Sequence, residues 1–286
     1  MVSIIIMYAD DTQLYIVLKQ NELSSRVSTL EDCVADVKSW ASHNSLLLNG
    51  GKTEVIHIAS QFRKRNIPPD IVIDGVRITP STSARDLGVI VDNAVTMKEH
   101  IKKICRAASF GIFRIGKLRQ YLDRTSTERL VNALVTSHLD YCNSLLINLP
   151  ASHLAPLQSI QNTAARLITR TKKFQHITPV LHSLHWLPIP LRTQFKVLLI
   201  TYKILRHQEP SYLAELLSSR IRPSVNLRSS SSSQLAPGPR TNTRYGDRAF
   251  SVCAPILWNH LPTDIQNAQS LDSFKTQLKT YLFKNQ

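Results

Sequence analysis

VSIIIMYADDTQLYI, residues 2–16, decides how the rest of the chain is read. Val2 to Met7 is a short apolar run, and Leu14 to Leu18 is another. Tyr8-Ala9-Asp10-Asp11 stands between them. Two β-rich runs joined by a few polar residues predict a β-hairpin. Adjacent carboxylates at its tip repel each other unless a positive charge compensates. Asp-Asp also occurs in ordinary turns, where Asp accepts backbone N–H bonds. The chemical alternative is a pair of divalent ions. Hard Mg²⁺ takes one or two carboxylates plus substrate phosphates, and two such ions can clamp the attacking and leaving oxygens of a phosphoryl transfer.

The chain has 286 residues, 43% of them hydrophobic, enough for two modest domains. Its formal charge of +15 is unevenly placed. Residues 1–95 hold 9 Lys/Arg against 11 Asp/Glu, whereas residues 96–286 hold 26 against 9. A basic half behind an acidic tip suits a polyanion such as nucleic acid, although charge alone also fits a soluble basic surface. Cys33, Cys105, Cys142 and Cys253 have no zinc-ligand spacing and outline no disulfide framework, so a reducing, intracellular compartment is expected. No apolar run reaches the ~20 residues of a membrane span, so no membrane partner is expected.

Residues 20–43 carry an apolar stripe at helical spacing (Leu23, Val27, Leu30, Val34, Val37, Ala41), with Trp40 assigned to the core. Asn44 to Gly51 reads as a turn, and residues 52–58 as a strand. Residues 71–78 form a hairpin with Asp74-Gly75 as its turn signal. Leu87 to Asp92 reads as one more strand. From residue 97 the pattern is helical. One stripe runs through Ile101, Ile104, Ala108, Ile112, Ile115, Leu118 and Leu122. Thr125-Ser126-Thr127-Glu128 reads as a capping box, opening a helix with Leu130, Leu134, His138 and Tyr141 on one face. Further helices are predicted near residues 152–171, 191–205 and 271–282. His182 and His185 have a spacing that could ligate a metal, but no Cys or carboxylate stands near them, so packing and capping are preferred. Residues 218–247, with a five-serine run and Pro237-Gly238-Pro239, read as a flexible linker or extended arm.

Several blocks, in order, resemble one family. Tyr8-Ala9-Asp10-Asp11-Thr12-Gln13 is similar to the metal-binding box of reverse transcriptases of LINE-type (non-LTR) retrotransposons. Leu48-Asn49-Gly50-Gly51-Lys52-Thr53-Glu54 and Asp86-Leu87-Gly88-Val89 resemble the blocks that follow it. Gln161-Asn162-Thr163-Ala164-Ala165-Arg166, Leu184-His185-Trp186-Leu187-Pro188 and Gly246-Asp247-Arg248-Ala249-Phe250 resemble that family's C-terminal region.

The resemblance implies an α+β fold: a partial polymerase palm of short antiparallel strands plus helix over 1–96, then a mostly α-helical thumb over 97–217. The linker 218–247 and a helical tail 248–286 follow. It implies RNA-directed DNA polymerisation, a nucleotidyltransferase reaction of a transposable element, on an RNA template and DNA primer with dNTP, in the nucleus. Asp10 and Asp11 would be the Mg²⁺ carboxylates, with Asp10 the better direct ligand. Tyr8 and Ala9 would lie beside the primer end, as would Leu87 and Gly88. Lys52 would act as general acid or electrostatic partner of the leaving pyrophosphate, although its spacing equally fits a solvated strand-edge lysine. Lys102, Lys103, Arg106, Lys117, Arg166, Arg170, Lys172 and Lys173 would grip the nucleic-acid backbone without reading sequence. The family's palm also uses an upstream carboxylate, and only seven residues precede Tyr8 here. The expectation is therefore a truncated polymerase with an incomplete two-metal site, inactive alone. The alternative is a non-catalytic basic module that binds nucleic-acid duplex.

Overall fold

A computed structural model describes residues 4–18, 22–60, 70–73, 75–207, 210–218 and 234–284. The chain divides into two compact units, residues 1–96 and 97–286.

The first unit is α+β. Strands β1 (Ile4–Tyr8) and β2 (Asp11–Tyr15) pair antiparallel, with Tyr8 opposite Asp11. Helix α1 (Leu23–His43) follows. It buries Val27 with Ile71 and Ile73, backed by Leu30, Val34, Leu48, Val55 and Ile78. Trp40 is 53% exposed, so it is not the core residue expected. It lies off the helical stripe, next to the buried Ala41. Strands β3 (Ile71–Ile73) and β4 (Val76–Ile78) form the expected hairpin, while Asp74 of its turn signal lies outside the described residues.

The expected strand over 52–58 is absent. Gly50–Lys52 is a 3₁₀ turn, and the segment beyond it makes only an isolated parallel bridge, Ile56 with Ser81. Single hydrogen bonds tie it down: the Ser81 N–H donates to the Val55 carbonyl at 2.8 Å, and Glu54 accepts the backbone N–H of Arg85 at 3.1 Å. Leu87 to Asp92 is not one strand either. Strands β5 (Ser83–Asp86) and β6 (Val89–Asp92) pair across a two-residue turn, Leu87-Gly88. Both turn residues have positive φ, 43° and 86°, as a type I′ hairpin requires.

The second unit is helical. Helix α2 (Lys98–Leu118) packs on α5 (Ala151–Thr169), burying Ile101, Ile104, Ala108 and Ile115. Between them lie α3 (Arg124–Val131), a π-helical turn (Asn132–Thr136) and α4 (Ser137–Asp140). The cap of α3 is Asp123, two residues before the expected box, and its carboxylate accepts the N–H of Ser126 at 2.7 Å. The buried face is Thr127, Val131, Val135 and Leu139. The expected face is wrong: His138 and Tyr141 are exposed. Steps of four residues drift by roughly 40° each on an ideal helix of 3.6 residues per turn. The wider π turn absorbs that drift and keeps the four residues on one side.

Helices α6 (Thr178–Ser183), α7 (Ile189–His207), α8 (Ser211–Ser218), α9 (Phe250–Asn259), α10 (Thr263–Gln266) and α11 (Leu271–Lys284) complete the unit. Leu198, Tyr202, Trp258, Phe274 and Leu278 form its main core. Of the expected linker, residues 219–233 lie outside the described residues. Residues 234–247 are docked rather than free. Leu235 is buried in that core, and its backbone N–H and C=O are both held by the Asn259 amide at 2.9 and 2.8 Å. Gly238 lies so close to α9 that a Cβ there would sit 2.6 Å from the Ser251 carbonyl oxygen.

The amides of the Gln158–Asn162 block serve architecture. Buried Gln161 donates to the Leu187 carbonyl at 2.8 Å, and Gln158 accepts the N–H of Ile189 at 2.8 Å. Two blocks distant in sequence are thereby joined, α5 and the bend before α7. His182 packs against Phe283 with ring centroids 4.9 Å apart and planes tilted by 46°, which is the packing role preferred for it.

Candidate functional site

The acidic tip is built as the hairpin reading expects. Ala9 and Asp10 form the two-residue loop, and Asp11 opens β2. Ala9 has φ 53°, which turns the chain sharply and leaves Tyr8, Asp10 and Asp11 exposed. Ile6, Met7 and Tyr8 are 48%, 55% and 66% exposed, an unusual state for such an apolar strand.

One residue joins the tip that sequence reasoning did not assign to it. Tyr15 donates to Gln13, whose amide donates to the Asp86 carboxylate at the end of β5. Burial raises the Asp86 pKa, and the nearby charge of Asp11 raises it further. Asp86 thus lies within electrostatic reach of Asp11 across 75 positions of sequence. It opens the block Asp86-Leu87-Gly88-Val89, but no spacing ties it to the hairpin. Leu87 and Gly88 form the turn directly after it, so the two primer-end candidates share its hairpin.

Lys52 is exposed at the end of its 3₁₀ turn, and no hydrogen bond or ion pair joins it to Asp10 or Asp11 among the described residues. Among these residues no group of three His, Cys, Asp or Glu side chains is arranged to hold a metal. The pair Asp10 and Asp11 fits an ion that completes its shell with phosphate and water oxygens. It does not fit a fully protein-held site.

The basic candidates separate into two places in the second unit. Lys102, Lys103 and Arg106 are exposed on α2. Toward its C-terminal end the exposed rings of Phe110 and Phe113 carry cations, Arg114 at 5.7 Å from the first centroid and Lys117 at 4.5 Å from the second. Cations interleaved with exposed rings are the elements that bind phosphates and stack bases. The helical stripe did not single out Phe110, Phe113 or Arg114, because polar periodicity hides aromatic residues outside the apolar face.

The other place is an open groove of about 630 Å³ along α5, lined by Gln158, Asn162, Arg166 and Lys173 among others. Arg166 donates to the Gln175 carbonyl at 3.2 Å, while its buried Nε has no partner. Arg170 caps α5 with φ 55°, and Lys172 and Lys173 follow it, both exposed. Arg119 is structural: it donates to the Leu167 and Ile168 carbonyls at 2.8 and 2.9 Å, closing the end of α5.

No helix among the described residues is long and apolar enough to cross a membrane. No family model matches the chain, and no solved structure matches it significantly. Among curated proteins the chain is similar to a probable RNA-directed DNA polymerase from transposon X-element of Drosophila melanogaster. The two are 24% identical over 148 residues, 51% of this chain and 16% of that protein's length. A distant, partial relationship to a transposon polymerase is the result.

Proposed function

We propose that this chain belongs to the RNA-directed DNA polymerase machinery of a non-LTR (LINE-type) transposable element. The observation that carries the reading is the exposed Asp10-Asp11 tip of an antiparallel hairpin, in a chain similar to a transposon polymerase. Asp10 and Asp11 would hold Mg²⁺, which would neutralise charge on the reacting phosphates. Lys52 would face the leaving pyrophosphate, and Tyr8, Ala9, Leu87 and Gly88 the primer end. The cations of α2 and of the α5 groove would bind the backbone of an RNA–DNA duplex, with dNTP as substrate and the nucleus as the place of action. With no group of three ligating side chains arranged to hold a metal among the described residues, the chain by itself is expected not to extend a primer.

A second reading, a duplex-binding module without chemistry, is favoured by the ring–cation pairs of α2. Ferrous iron in place of Mg²⁺ separates the two. With ascorbate and peroxide it should cleave the polypeptide beside Asp10, and both Mg²⁺ and Asp10→Asn should suppress that cleavage. Absence of cleavage there, with salt-sensitive duplex binding retained, would leave only the binding module. Loss of duplex binding at low salt would remove both. Mg²⁺-dependent primer extension by the chain alone, abolished in Asp10→Ala, would overturn the expectation of inactivity.

A further inference from the structure

A second cavity lies in the helical unit, and none of the residues proposed above lines it. It has a volume of about 370 Å³, within the range of small-ligand sites. Asp140 and Asn143 line it from the α4 end, and Arg192, Lys196 and Lys279 from α7 and α11. Trp186 contributes to its apolar wall.

Its charges do not cancel. Arg192 makes a two-point ion pair with Asp140, donating from both Nε and Nη2. Lys196 and Lys279 have no ion-pair partner among the described residues. Burial lowers the Lys279 pKa, and the Arg192 charge lowers it further, so the ammonium lacks the anion that would stabilise it. Two positive charges remain uncompensated.

One hydrogen-bond acceptor is also left over. Asn143 is 4% exposed, and its Nδ2 donates to the Asp140 carboxylate at 3.2 Å. That contact fixes the amide orientation, because the opposite one would set oxygen against oxygen. Its Oδ1 is then buried with no partner. A buried, unpaired acceptor costs about 1–3 kcal/mol and calls for an explanation. The backbone here is also unusual. Cys142 and His185 have φ of 50° and 53°, and the π turn Asn132–Thr136 supplies part of the wall. Strained residues and π turns concentrate at functional sites.

We propose that this cavity binds a phosphate monoester that also carries a hydroxyl or amine donor, the chemical class of a mononucleotide. The doubly negative phosphate matches Lys196 and Lys279, where a carboxylate would leave one charge unanswered. The donor satisfies Asn143 Oδ1. The inference does not depend on Asp10, Asp11 or the polymerase reading.

The test is calorimetric titration of the full chain with thymidine monophosphate, thymidine and inorganic phosphate. The monophosphate should bind, and thymidine should bind at least about tenfold more weakly. Lys196→Gln with Lys279→Gln should weaken the monophosphate by about tenfold or more. Asn143→Leu should weaken the monophosphate and spare inorganic phosphate. The lysine variants are partly exposed and decide the matter if the leucine variant does not fold. A 5′-phosphorylated oligonucleotide that outcompetes the free monophosphate would make a strand end the source, and the reverse order a free nucleotide. No binding, equal binding of thymidine, or insensitivity to the lysine variants would overturn the proposal and leave a water-filled cavity.

Discussion

Gly111 and Gly116 lie on the same helix, α2, and the same substitution should move stability in opposite directions. Replacing a helical glycine with alanine gains about 1 kcal/mol from the backbone alone. At Gly116 nothing lies within 4 Å of the added Cβ, so Gly116→Ala should keep most of that gain. At Gly111 the Cβ would sit 2.6 Å from the Leu134 carbonyl oxygen and 3.3 Å from the Leu134 Cβ. Leu134 belongs to the π turn, so the obstacle is backbone and cannot rotate away. Overpacking of this kind costs about 1–3 kcal/mol, and the upper part of that range applies where backbone must move. Set against the helical gain, Gly111→Ala should destabilise the unit by roughly 1–2 kcal/mol. For a unit of this size that corresponds to a fall of roughly 3–6 °C in Tm, against a rise of about 2–3 °C for Gly116→Ala. Trp186 and Trp258 are buried in this unit whereas Trp40 is exposed, so the blue-shifted emission follows the relevant transition during thermal melts. Stabilisation by both alanines would refute the close approach of α2 to the π turn, and with it the account of the buried face of residues 127–139.

Arg119→Met keeps the aliphatic stem but removes the donors to the Leu167 and Ile168 carbonyls, and should cost about 1.5–3 kcal/mol in urea unfolding. Leu87→Asn places a residue tolerant of positive φ in the type I′ turn and should stabilise the first unit by about 1 kcal/mol, read in the same assay. The raised pKa of Asp86 means the folded state holds its proton longer than the unfolded chain. Its stability contribution is therefore present below the ordinary carboxylate range and is lost as pH rises through the folded value. Asp86→Asn retains an acceptor for Gln13 and should flatten that part of the pH–Tm profile. The Cys253 thiol is pushed up to about 11, chiefly by burial, so it should resist iodoacetamide in the native protein while the half-buried Cys33 and Cys142 react, as peptide mapping would show.

What the sequence disclosed follows from where periodicity is a sufficient signal. The stripes of α1, α2, α5 and α11 were legible because each buries one face at ordinary helical spacing. The hairpins at 4–15 and 71–78 were legible because short β-rich runs flanked polar turn residues. The pattern failed where a turn departs from the ideal. At 124–140 Leu130 and Leu134 look like a core face, but the π turn shifts burial to Val131 and Val135. At 83–92 Leu87 looks like part of a strand, because nothing in composition announces a leucine at φ 43°.

The two candidate sites differ in the same way. Asp10 and Asp11 are neighbours in sequence, so their crowding could be read directly. Asp86 reaches Asp11 only because β5 ends beside the Gln13 side chain, a tertiary fact no spacing contains. Asn143 carries no motif at all. Its significance comes from a sum over space: Asp140 takes one amide proton, Arg192 pairs with that carboxylate through both its oxygens, and the amide oxygen is left facing no donor. Each member of the cluster is ordinary alone. Only the unmet acceptor together with two unmet cations specifies a ligand, because a water molecule could satisfy the first but not the second. That pairing is why the lysine variants, rather than Asn143, are the decisive substitutions.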